Sequence, residues 1–173
     1  MPVQLAIRSR DFWAPGERVS GEHLAALLGR DPRGPYEVVL KDGDGEPLVI
    51  RNGPILDDGT PMPTRFWLVG RSARLAIDRL EAAGGVRAAA SAVDPEELER
   101  AHESYAAERE AAIPEGWAGP RPHGGVGGTR RGVKCLHAHY AWFLVGGDDP
   151  VGRWVAHQLS DAGGQNWCQP EPR

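Results

Sequence analysis

The chain is short of cysteine, of long apolar runs and of charge of one sign. Two of its 173 residues are cysteines, Cys135 and Cys168. That is too few for the disulfide framework with which small secreted domains replace a core, and it predicts free or metal-bound thiols in a reducing compartment. No uninterrupted apolar stretch approaches the about 18 residues that a membrane-spanning helix needs. The opening MPVQLAIRSRDFW meets charge before an apolar core of signal-peptide length can build. These absences predict a soluble, cytoplasmic protein with no membrane span. Lys and Arg total 20 against 24 Asp and Glu, for a net charge of −4; without a basic field to recruit a polyanion, nucleic-acid binding is not expected.

What the chain does have is loop formers, with 23 Gly and 15 Pro, more than the usual share, and these predict long irregular connections around a core of ordinary size. A chain of this length suits one domain, burying roughly two thirds of the surface that its unfolded form exposes. The expected organisation is a domain over residues 1–160 followed by a polar, flexible tail over 161–173.

Periodicity and turn chemistry place the elements. AIRSRDFWAPGERV is compatible with a short strand and a turn at Pro15-Gly16, after which Ser20 caps a helix through Leu24, Leu27 and Leu28 that stops at Gly29 or Pro32. Two apolar runs, Tyr36–Leu40 and Pro47–Ile50, flank DGDG, a strong hairpin signal. The turn DDGTPMP leads to RFWLVG, a candidate third strand. From Ser72, Leu75, Ile77 and Leu80 predict a helix stopped by Gly84-Gly85. Asp94-Pro95-Glu96-Glu97 starts another, highly charged, that runs to about Ile113 with Leu98, Ala101, Tyr105 and Ala112 as its apolar stripe. Residues 114–133 are too rich in Gly and Pro to be regular, and a loop of that length is usually functional or disordered. A helix over 134–146 ends at Gly146-Gly147, and Asp148 or Asp149 caps a last one carrying Val151, Trp154, Val155 and Leu159.

The chemistry gathers at GVKCLHAHYAWFL. On a helix, Cys135 and His139 are one turn apart and share a face, which offers two ligands to zinc or iron; a third must come from elsewhere. His137 points away from that face. Three readings stand side by side: Cys135 and His139 as metal ligands, Cys135 as a thiolate nucleophile with a histidine as its base, and Cys135 as a small buried apolar residue beside hydrogen-bonded histidines. The preceding GGVGGTRRGVK presents Gly127, Gly128, Thr129, Arg130, Arg131 and Lys134 near a helix start, a plausible cradle for phosphate or carboxylate, though it matches neither a Walker loop nor GxGxxG. A solvated loop with surface arginines is the bland alternative. His102, Tyr105 and Arg109 fall on one face of the charged helix.

Several segments in order, among them GPILDDGTPMPTRFWLVG, AHESYAAERE and GGVGGTRRGVKCLHAHYAWFLVGGDDPVGRWVA, resemble the bacterial family called domain of unknown function 501, common in actinobacteria. The resemblance spans roughly residues 27–158. It implies no reaction, but the family's genes lie beside those for a septum-initiator-like division protein and a polyphosphatase-type phosphatase, which implies a division-related partner. Many members carry a Cys-Pro-Tyr-Gly-like segment where this chain reads GPYEVV without a cysteine. The family's most distinctive segments map to Thr60–Trp67, His102–Arg109 and Gly127–Tyr140. They imply one pocket in which Thr60, Pro63, Thr64 and Arg65 meet His102, Tyr105, Arg109 and Tyr140, the basic loop, and Cys135, His137 and His139.

The expected fold is α+β: a small antiparallel sheet, hairpin plus one strand, packed by four or five helices, with no βαβ pattern. Two function classes fit. One is a small-molecule or anion-binding protein, whether or not it is an enzyme, with Cys135, His137, His139 and His102 as its catalytic candidates and zinc or iron as its metal. The other is a non-catalytic interaction protein of cell division or envelope assembly that docks through the charged helix 95–113.

Overall fold

The computed structural model of the chain describes residues 20–162. The strand expected before Pro15, the tail beyond Ala162 and Cys168 lie outside the described residues. Three strands, β1 (Tyr36–Lys41), β2 (Pro47–Asn52) and β3 (Phe66–Leu68), make an antiparallel sheet in the order β1-β2-β3. Six helices accompany it: α1 (Gly21–Leu28), α2 (Arg71–Ala82), α3 (Gly85–Ala92), α4 (Pro95–Ala111), α5 (Leu136–Leu144) and α6 (Pro150–Asp161). The fold is therefore α+β, with helix outweighing strand. No helix among the described residues is long and apolar enough to cross a membrane.

The hairpin closes where the sequence asks it to. Asp42 turns its Oδ1 back onto the N–H groups of Asp44 at 3.0 Å and Glu46 at 2.9 Å, so the tight turn uses its own side chain to satisfy the backbone. β2, paired on both edges, is buried at all six positions. The two faces of the sheet go to different partners because side chains alternate along a strand. Trp67 packs toward Leu24 of α1 with Val38, Ile50 and Val69, whereas Phe66 and Leu68 join the larger core with Ile77, Tyr105, Leu136, Trp142 and Val155. α5 lies against β3 and against α6, so the chemistry-bearing segment is held at the centre of the larger core.

Three details differ from the sequence expectation. The pair Gly84-Gly85 ends α2 as expected, but a further helix follows without a loop: Gly84 takes a left-handed φ of 88°, and α3 starts at once. The sixth helix is the result. On α2 the buried face is Ala73 and Ile77, while Leu75 is 48% exposed; residues two apart on a helix point to opposite sides and cannot share a stripe. Finally, α5 starts at Leu136, with Cys135 as its N-cap in an extended conformation (φ −154°, ψ 125°). The caps of α1, α4 and α6 are those read from sequence: Ser20 accepts from His23 N, Asp94 from Glu97 N, and Asp149, rather than Asp148, from Val151 N and Gly152 N.

Candidate functional site

The buried face of α4 is polar. Besides Leu98 and Ala101 it buries His102, Tyr105 and Arg109, which bond to two segments, the one before β3 and the glycine loop. The Tyr105 hydroxyl accepts from the N–H of Arg65 at 2.6 Å, and burial pushes that phenol's pKa upward. Arg109 donates to Pro63 O at 2.9 Å and to Gly124 O at 2.6 Å, tying the segment before β3 to the glycine loop. His102 Nδ1 accepts from Val126 N at 3.0 Å, so its proton sits on Nε2, which donates to Gly132 O at 3.0 Å. Burial holds the His102 pKa below its ordinary value. Its ring meets that of His139 edge-on at 5.7 Å, and His139 Nδ1 donates to Asp149 Oδ2 at 2.7 Å with both side chains essentially inaccessible.

This seam brings Arg65, His102, Tyr105, Arg109, His139 and the glycine loop together, but as packed interior. Of the remaining pocket candidates, Thr60 is exposed in the turn where its N–H caps onto Asp58 Oδ1, Thr64 lends its carbonyl to Asn52 Nδ2, and Tyr140 stacks on Phe143 in the core. A surface cavity of about 340 Å³ lies elsewhere, between α1, the hairpin turn and the start of α2, and is lined by His23, Asp42, Glu46 and Arg71 among others. None of the sequence-predicted site residues borders it.

The glycine loop is explained largely by packing. A Cβ on Gly125 would sit 2.4 Å from His102 Nδ1, so only glycine lets the loop lie on that ring. Two amides of the expected cradle are spent inside the loop, since Gly128 N donates to Gly125 O at 3.0 Å and Thr129 N bonds to Val126 O. The Thr129 hydroxyl donates to Arg131 O at 2.8 Å. The N-terminus of α5 already holds an anion of the protein's own: Leu136 N donates to Glu81 Oε1 of α2 at 2.6 Å. Arg130, Arg131 and Lys134 remain exposed.

At that same helix start the structure assembles a cluster that the sequence did not announce. Because Cys135 is a cap and not a helical residue, its Sγ turns to His137 Nδ1 at 3.7 Å, and the sulfur does not pair with His139 across a helix turn. His137 Nδ1 also lies 3.3 Å from Glu81 Oε1, and its Nε2 is 3.1 Å from Asp78 Oδ1. The three ligand atoms of Glu81, Cys135 and His137 lie within 4.8 Å of one another, on residues that are all half-buried. Burial disfavours the charged imidazole. The hydrogen bond and charge of Cys135, with the charges of Glu81 and Asp78, outweigh it and raise the His137 pKa to about 9. Glu81 and Asp78 carry no local motif; the one hint is a carboxylate in the last turn of α2, where the helix dipole disfavours it unless another partner exists.

A perturbed carboxyl, Glu108, lies in the seam. Burial raises its pKa to about 7 even though Arg65, Trp142 and Arg51 oppose the shift. Its Oε1 is 3.8 Å from Arg65 Nε, an ion pair too long to be a hydrogen bond, and both atoms lack hydrogen-bond partners.

Comparison with known proteins adds one match. A family model described as "Protein of unknown function (DUF501)" matches residues 38–157, a span that includes the seam, the glycine loop and all four residues of the cluster. No curated protein and no solved structure matches the chain.

Proposed function

The chain belongs to the DUF501 family of proteins of unknown function, and from that premise, which names no reaction, we propose that it binds a zinc-class divalent metal through Glu81 Oε1, Cys135 Sγ and His137 Nδ1 and presents it to a small anionic ligand. One observation carries the reading. Around a tetrahedral zinc, sulfur and nitrogen ligands stand about 3.6 Å apart and nitrogen and oxygen ligands about 3.4 Å, given Zn–ligand bonds of about 2.0–2.3 Å. The corresponding separations are 3.7 Å for Cys135–His137 and 3.3 Å for His137–Glu81. Asp78 on the far nitrogen of His137 supplies the carboxylate that zinc-bound histidines ordinarily have behind them; the metal displaces the Nδ1 proton that the raised pKa otherwise retains, and the remaining proton stays on Nε2 toward Asp78.

Three protein ligands leave a fourth position for water or for an oxygen of a bound anion, the arrangement that serves metal-assisted hydrolysis. The cations at Arg130, Arg131 and Lys134, exposed and immediately ahead of Cys135 in the chain, suit an anionic partner. They act here as side chains; the amides of Gly125, Val126, Gly128 and Thr129 are already occupied. The alternative, docking through α4, draws less support. The outer face of that helix carries Glu96, Glu99, Glu103 and Glu110, and the exposed large apolar residue among the described ones is Leu75 on α2.

The test is metal content by mass spectrometry on untagged protein equilibrated with zinc. Wild type and Arg130→Ala are expected to hold about one equivalent, and Cys135→Ser and Glu81→Gln much less. Wild type that takes up no zinc, or Cys135→Ser that retains it fully, refutes the site. Inorganic phosphate should raise the melting temperature of the zinc-loaded wild type and do less for an Arg130→Ala/Arg131→Ala double variant.

A further inference from the structure

The three ligands differ in one chemical respect. A carboxylate and an imidazole are inert to mild peroxide, whereas a thiolate is not. Cys135 is also well placed to meet an oxidant, because as the half-buried N-cap of α5 it follows directly on the exposed Arg130 and Arg131 stretch and is not enclosed by the helix.

The cluster, moreover, can lose a ligand without leaving buried groups stranded. Glu81 accepts from Leu136 N at 2.6 Å, and His137 sits between Asp78 at 3.1 Å and Glu81 at 3.3 Å. The buried side-chain atoms without partners among the described residues are Arg65 Nε, Glu108 Oε1, Arg109 Nε and His139 Nε2. None of these belongs to the cluster. A purely structural zinc site behaves differently, because emptying it orphans its ligands and unfolds its surroundings. Here the first N–H of α5 is satisfied by the Glu81 carboxylate, and that bond stands whether or not a metal is present.

We propose that Cys135 is an oxidative modification site that controls metal occupancy, an inference that rests on the metal reading above. A hydroperoxide attacks at the zinc-bound thiolate. The sulfur forms a bond to the distal peroxide oxygen and gives up two electrons, and the O–O bond breaks. For hydrogen peroxide the products are the sulfenic acid at Cys135 and hydroxide, equivalently sulfenate and water. The oxidised sulfur is a poor ligand, so Glu81 and His137 return to their protein partners and zinc leaves. Two equivalents of a small thiol reverse the step: one forms a mixed disulfide with Cys135 and releases water, and the second displaces the Cys135 thiolate and leaves with the first as a disulfide.

The experiment uses the full chain in a Cys168→Ser background, so that Cys135 is the sole thiol. Zinc is loaded and counted first. Hydrogen peroxide is then added with a chromophoric zinc chelator present, and a dimedone adduct at Cys135 is quantified by peptide mass spectrometry. The expected result is zinc release that tracks sulfenic acid formation one for one, with an unchanged far-ultraviolet circular dichroism spectrum and rebinding after peroxide removal and thiol addition. Zinc that stays bound to protein fully labelled at Cys135, or zinc lost without any labelling, overturns the inference while leaving the metal site standing. Failure to load zinc at the first step refutes the metal reading and the inference with it. A Cys135→Asp variant, which offers a carboxylate in place of the thiolate, should bind zinc more weakly and lose none to peroxide; release at the wild-type rate would also overturn the inference.

Discussion

Arg109 offers the sharpest test of the buried seam. Its side chain is 2% exposed and spans two otherwise separate segments, donating to Pro63 O at 2.9 Å and to Gly124 O at 2.6 Å. A hydrogen bond from a charged donor contributes about 1.5–3 kcal/mol net, so the two together contribute about 3–6 kcal/mol. Against this stands the cost of burying a guanidinium, visible in its lowered pKa and in an Nε without a partner. Arg109→Ala removes both bonds and leaves two part-buried carbonyls without their donor, and we expect a loss of about 3 kcal/mol, a large share of the about 5–15 kcal/mol that holds an ordinary domain together. Arg109→Lys can reach one carbonyl at a time and should recover about half of it. Urea unfolding followed by tryptophan fluorescence reads both values, and hydrogen exchange at Val126 and Thr129 should speed up as the glycine loop loses its tether. A loss below about 1 kcal/mol for Arg109→Ala would mean that water already satisfies those carbonyls and that the seam is not the closed interior described above.

Other substitutions probe neighbouring parts of the same argument. Gly125→Ala drives a Cβ to within 2.4 Å of His102 and should cost about 2 kcal/mol or more in a thermal or urea melt; near-wild-type stability would show that loop and ring separate freely. Asp149→Ala deletes both the α6 cap and the partner of His139, for an expected loss of about 2–4 kcal/mol, and a change under 1 kcal/mol would contradict it. Glu108 has a folded pKa of about 7 against an ordinary 4.5. The native state therefore binds its proton more tightly than the unfolded state, and this group's contribution is full below pH 4.5 and lost as pH rises through 7. Glu108→Gln keeps an acceptor for Trp142 without the charge and should match wild type at pH 5 and equal or exceed its stability at pH 8; the opposite order, measured by urea midpoints, would refute the assignment.

Local interactions were readable from the chain alone. The caps at Ser20 and Asp94, the DGDG hairpin and the helix period of α6 involve residues a few positions apart, and their chemistry is complete without tertiary partners. The family was legible as well, because several uncommon segments recur in order. The same local logic found the stop at Gly84-Gly85 but not the helix that begins directly behind it.

What lay beyond the sequence were the contacts that build the Glu81, Cys135 and His137 cluster. Glu81 and Cys135 are 54 residues apart and approach only because α2 and α5 pack side by side over the sheet, and the same packing puts the Glu81 carboxylate on Leu136 N and sets where α5 begins. That one bond makes Cys135 a cap, turns its sulfur from His139 to His137, and moves the candidate metal site by one histidine. Composition and spacing therefore determined which residues were available for chemistry and which local turns and helices they occupy. Tertiary structure alone decided which of them meet, because a helix start is set by whichever partner satisfies its free N–H groups, and here that partner is a carboxylate from another helix.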